Sequence, residues 1–109
     1  MLREGLEAQE QRGQRRWEPE LHRLEGMALM GLNRLDESQI AFEVALRIAR
    51  RQRAKSYELR AATILARMWG EQGRRTDAHE LLAPVYGWFS EGFDTADLKE
   101  AKVLLDQLV

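Results

Sequence analysis

Two histidines, His22 and His79, are where proton transfer or metal binding would start in this chain. They are far apart in sequence. His22 stands four residues after Glu18, a spacing that lets the two meet on one helix face, and His79 is next to Glu80. Such helix-face pairs are ordinary surface contacts. A zinc or di-iron centre needs several convergent ligands, for example repeated Glu-x-x-His pairs, and the sequence offers none. It also lacks a Gly-rich phosphate loop ending in Lys-Ser or Lys-Thr, a Gly-x-Ser-x-Gly elbow and a dinucleotide fingerprint. No catalytic, cofactor-binding or metal-binding residue is therefore assigned. A non-enzymatic role is expected.

The chemistry that does stand out is binding chemistry. Arg47, Arg50, Arg51, Arg53, Lys55 and Arg60 form a basic junction, and the first three share a helix face. Guanidinium groups so placed suit phosphate or carboxylate, which gives one reading of the chain as a nucleotide- or nucleic-acid-binding module. The competing reading is a solvated helix end, where the helix dipole favours positive charge, diluted by Glu43 and Glu58. No turn-plus-recognition-helix pattern accompanies the arginines. Tyr86, Trp88, Phe89 and Phe93 form an aromatic cluster, either a platform for a peptide or packing between two helices. Trp88 falls off the stripe of Val85 and Phe89 and is expected to be exposed. Trp17, just ahead of a helix, is expected to pack on a preceding repeat. The candidate partner-binding residues are thus Arg47, Arg50, Arg51, Trp17 and Trp88.

Composition narrows the class. The 109 residues suffice for one compact domain. The formal net charge is -1, so no global basic excess favours nucleic acid. Cysteine is absent, which excludes disulfides, thiolate metal sites and a cysteine nucleophile. No apolar run approaches the roughly 20 residues of a membrane helix, and the first residues, MLREGLEAQEQRGQRR, lack an apolar signal core. A cytoplasmic protein that does not meet the membrane is expected.

The elements that must position these residues come as one pattern said twice. LHRLEGMALMGLNRLDESQIAFEVALRIA runs from Leu21 to Ala49, and AATILARMWGEQGRRTDAHELLAPVYGWF runs from Ala61 to Phe89. Each is an apolar helix, a short polar turn and a second apolar helix, offset by about forty residues, as in helical-hairpin repeats. Hairpins are expected over about 19–53 and about 56–90, with a polar helix over about 2–12 and a one-sided capping helix over about 95–108. Pro19 suits a first turn. Leu21, Leu24, Ala28 and Leu32 form the stripe of the helix after it. Gly26 in mid-helix implies close approach of a neighbour. Asp36, Ser56 and Asp94 or Thr95 are expected N-caps, with Thr76 starting another helix. Pro84 is expected to bend its helix without ending it, because the apolar stripe from Ala78 to Phe89 runs through it.

The repeat resembles the tetratricopeptide pattern. Gly26 falls at the small residue of the first helix, Asn33 at the turn glycine, Ser38 at the small residue of the second helix, Phe42 at its aromatic and Ala45-Leu46 at its alanine-leucine pair. Ala66, Gly73, Ala78 and Leu82 take the corresponding places in the second copy, with Val85-Tyr86 for alanine-leucine. The string LLAPVYGWFSEGFDTADLKEAKVLLDQL looks like the tail of bacterial regulators that join a class III adenylate or guanylate cyclase domain, or another signalling domain, to an ATPase and a tetratricopeptide array. The resemblance covers nearly the whole chain, as the last repeats of such an array. No cyclase or ATPase motif is present, and neither activity is carried over.

The expectation is therefore an all-α, tetratricopeptide-like stack of about six helices in antiparallel hairpins forming a short right-handed superhelix. Its expected function is a protein-interaction or regulatory scaffold whose first helices receive a peptide or a neighbouring domain. The resemblance implies that the partner is an upstream part of a larger regulator. A third expectation is self-association, as a homodimer through the N-terminal half, because an unstacked repeat leaves apolar surface open.

Overall fold

The computed structural model describes residues 14–89 and 95–109. The expected helix over 2–12 and the loop Ser90–Phe93 lie outside them. A 3₁₀ turn, Gln14–Trp17, leads into five helices: α1 (Glu18–Gly31), α2 (Leu35–Gln52), α3 (Lys55–Glu71), α4 (Arg75–Trp88) and α5 (Ala96–Leu108). No strand occurs among the described residues. No described helix is long and apolar enough to cross a membrane. α1 packs on α2, α3 on α2 and α4, and α5 on α4 and α3, while α1 and α3 also touch directly.

The turns show how deep the repeat runs. Asn33 (φ 61°) ends α1 in the left-handed conformation, and Gly73 (φ 86°) ends α3 the same way. Arg34 donates its backbone N–H to the Leu29 carbonyl at 2.9 Å while Asn33 donates to Met30 at 3.0 Å. Forty residues on, Arg74 donates to Trp69 at 2.8 Å and Gly73 to Gly70 at 3.2 Å. These are Schellman closures, in which two N–H groups satisfy carbonyls left open at a helix end. The side chain of Arg74 then lies over the Trp69 ring, 4.3 Å from its centroid. α2 closes alike, with Ala54 donating to Ala49 and Arg53, at φ 57°, to Arg50.

This closure corrects the expected N-caps. α2, α3 and α4 start at Leu35, Lys55 and Arg75, and Arg34, Ala54 and Arg74 stand at their caps without a side-chain cap bond. The residue that completes the Schellman closure is also the first acceptor of the next helix, since Ser38 donates to the Arg34 carbonyl and Ala78 to that of Arg74. Asp36 and Ser56 therefore sit inside the first turn, and Thr76 one residue past the start. Asp36 and Glu37 instead meet the positive end of the helix dipole there. Thr95 does cap α5, its hydroxyl accepting from the Leu98 N–H at 3.3 Å. α4 runs unbroken through Pro84 to Trp88, with Ala78, Leu82 and Val85 buried on either side of the ring.

The core is centred on α3. Leu59, Ala61, Ala62, Ile64, Leu65, Ala66 and Met68 are all buried, and Phe42, Leu46, Leu82, Val85, Leu98 and Leu104 pack with them. Thr63 is buried on this helix as well. The α1 stripe is open: Leu21, Leu24 and Leu32 are exposed, as is Ala28. The register extends to α5, whose buried Ala101, Leu104 and Leu108 stand forty residues after the buried Ala61, Ile64 and Met68. α5 is thus a first helix of the same kind as α1 and α3.

Gly26 has the tight contact its position implied. A Cβ there would lie 2.4 Å from Cε1 of Phe42, a ring with no exposed surface. Beside it the Ser38 hydroxyl donates to the Gly26 carbonyl at 2.6 Å. Burial of that ring contributes roughly 1.5–3 kcal/mol. Gly26→Ala should destabilise the chain by about 1–3 kcal/mol, because displacing a packed ring outweighs the gain in helix propensity. Gly31, with nothing within 4 Å of its would-be Cβ, provides the control. Gly31→Ala should stabilise by up to about 1 kcal/mol, and urea unfolding midpoints of the two variants should move in opposite directions.

Candidate docking groove

α1, α3 and α5 lie side by side, and a cavity of about 330 Å³ opens across them. Met27, Thr63 and Ile64 line it together with Arg23, Arg60 and Arg67, and Asp97 and Glu100 come from α5. The Thr63 hydroxyl donates to its own helix, at the Leu59 carbonyl, 2.7 Å away. Four-residue back-bonding of this kind satisfies a hydroxyl in an otherwise apolar setting.

The charges are paired across helices. Arg60 on α3 reaches Glu20 on α1 with Nη1 at 2.5 Å and Asp97 on α5 with Nε at 2.9 Å. Arg23 donates through Nε to the other Glu20 oxygen at 2.6 Å. Arg67 on α3 donates to Glu100 on α5 at 2.6 Å. Glu20 is buried. Burial alone would push its carboxyl up, but the hydrogen bonds from Arg23 and Arg60 and their charges outweigh it and hold the group below its ordinary value. The hydrogen bonds to Asp97 and then Glu20 raise Arg60 above its own. Tyr57 lies one turn before Arg60, its ring centroid 6.0 Å from the guanidinium carbon, and Trp17 stands 6.3 Å from Tyr57, centroid to centroid. Trp17, mostly exposed, therefore packs against α3 at Tyr57.

The basic junction is divided by the turn at Arg53–Ala54. Arg50 and Lys55 converge on Glu58, at 3.0 and 3.3 Å, and the Glu58 side chain is only 6% exposed. Arg60 turns into the groove. Arg47 and Arg50 border a shallow cavity of about 420 Å³ with Glu43, Trp69 and Leu81, whereas Arg51 is exposed and does not line it. Trp88 is 56% exposed, stands edge-on to Phe89 with ring centroids 5.1 Å apart and carries Lys55 Nζ 5.2 Å from its own centroid. Of the candidate partner-binding residues, the structure brings Arg47 and Arg50 together and leaves Arg51, Trp17 and Trp88 apart. His22 contacts Glu25, Nδ1 to Oε1 3.5 Å. Among the described residues no group of His, Asp and Glu converges as a metal site would need.

The groove pairs escaped sequence reasoning, although one signal was present. Glu20, Arg60 and Glu100 occupy the same register position in successive repeats, and their signs alternate. Comparison of the chain with protein-family models, curated proteins and solved structures finds no match.

The depressed Glu20 value fixes a pH dependence. Its stabilising effect is present at neutral pH and is lost as pH falls below the ordinary 4.5 toward the lower folded value. Glu20→Gln should lower stability at neutral pH by roughly 1–3 kcal/mol. It should also flatten the loss of stability between about pH 5 and about pH 3, followed by urea unfolding at each pH.

Proposed function

We propose that the chain is a non-enzymatic docking scaffold of tetratricopeptide-like architecture, and that the groove across α1, α3 and α5 receives a peptide segment of a protein partner. The observation that carries this reading is the groove itself, an apolar floor at Met27 and Ile64 bordered by charged pairs contributed by three different helices. A buried apolar anchor gives a peptide most of its affinity, and rim charges set its register. The fitting ligand has one bulky apolar side chain flanked by residues of both signs, which can exchange partners with Arg67–Glu100 and Arg60–Asp97. On the resemblance described above, such a segment would belong to an upstream signalling domain of a larger regulator. The nucleic-acid reading of the basic junction has less support, since Arg50 and Lys55 are engaged with Glu58 and Arg60 with Glu20 and Asp97.

The test is selection of binding peptides from a displayed random library, followed by titration. Met27→Glu and Arg67→Glu should each weaken the selected peptides about tenfold or more, equivalent to about 1.4 kcal/mol. Arg50→Ala with Arg51→Ala should leave them unchanged. Peptides indifferent to both groove variants would refute the reading. Salt-sensitive binding of short DNA, abolished by the Arg50–Arg51 pair of substitutions, would put the basic junction in its place.

A further inference from the structure

The forty-residue register reveals one face of the repeat that is covered twice and left open once. In α3, Ala61, Ile64 and Met68 are at most 8% exposed, and their counterparts in α5, Ala101, Leu104 and Leu108, are too. The counterparts in α1 are Leu21, Leu24 and Ala28, of which Leu21 is 63% and Leu24 52% exposed. α3 has helices before and after it, α1 and α2 on one side and α4 and α5 on the other. Among the described elements α1 makes its main contacts with α2 and α3, and smaller ones with the 3₁₀ turn. The open face is therefore the one that a preceding helical hairpin covers at the other two positions.

Trp17, Leu21, Leu24, Ala28 and Leu32 extend along this face at spacings of four, three, four and four residues. That is the spacing of a seam between two helices. We infer that the face is a homodimer interface, in which α1 of one chain lies antiparallel against α1 of a second copy across a two-fold axis near Leu24. The two ends of the stack decide the occupant. At the far end α5 turns Lys99, Lys102 and Asp106 to solvent, with Val103 as the one exposed large apolar side chain within the helix. Head-to-tail stacking would press the apolar face on that charged surface. Pairing of like faces matches apolar to apolar and closes at two chains. Within the chain the same face of α3 is already met by α1 and α2, so a second copy supplies helical surface of the kind this face accepts. The thirteen residues ahead of Gln14 hold only Met1, Leu2, Leu6 and Ala8 as apolar side chains, fewer and smaller than the stripe they would have to cover.

Sedimentation and light scattering on the full chain test this inference. The mass should rise from 12.7 kDa toward twice that value as concentration increases from about 1 µM to about 1 mM. Leu24→Glu and Trp17→Glu, both at exposed positions, should return the chain to monomer with its helical circular dichroism retained. Val103→Glu on α5 should leave the association unchanged. A monomer at every concentration overturns the inference, and so does a dimer that survives Leu24→Glu or is lost with Val103→Glu. A monomer that begins to associate on Leu6→Glu also overturns it, and assigns the face to the chain's own first residues.

Discussion

A first helix in this repeat carries more apolar surface than its own hairpin partner can cover. α3 makes the constraint concrete: nine of its seventeen residues are buried, on sides that face α1 and α2 as well as α4 and α5. Such a helix is stable only between neighbours. The rest of the molecule answers that demand. α5 repeats the stripe of α3 and turns a charged face outward. The Schellman closures let one helix turn directly into the next, so that packed neighbours follow without long connections. The groove is the seam left where three first helices lie abreast.

Charge is used at the seams in one consistent way. Glu20 and Glu58 are the buried carboxylates among the described residues, and each is held by cations from two different helices. Arg23 and Arg60 join α1 to α3 through Glu20, and Arg50 and Lys55 join α2 to α3 through Glu58. Removing such charges from water costs nearly as much as their pairing returns. The gain lies in geometry. Hydrophobic contact alone tolerates sliding of one helix along another, whereas a carboxylate that must meet two guanidinium or ammonium groups tolerates little. At the groove the Arg60–Glu20 pair joins α1 to α3, and Arg60–Asp97 and Arg67–Glu100 join α3 to α5.

The all-helical character was legible in the sequence because it rests on local chemistry. Apolar period marked the helices, Pro84 lay within an unbroken stripe, Gly26 implied a close neighbour and Thr95 was in place to cap. The capping of α2, α3 and α4 was misread for an equally local reason. Asp36 and Ser56 have the side chains of caps, but a Schellman turn supplies the backbone partners itself and moves each helix start upstream. The groove pairs were hidden by sequence distance, since Arg60 meets Glu20 and Asp97 only once α1, α3 and α5 are in register. The basic junction looked like a patch for the converse reason. Its members are close in the chain, and the left-handed turn at Arg53 sends them toward different neighbours.

Gly26 and Phe42 have as their counterparts forty residues on Ala66 and Leu82, and all four are buried. One hairpin combines no side chain with a large ring, and the other a methyl group with a smaller branched chain. The same space is filled in two different ways. Each position therefore constrains what the other can become, and a single exchange between copies, alanine for Gly26 or phenylalanine for Leu82, would pass through an overfilled intermediate.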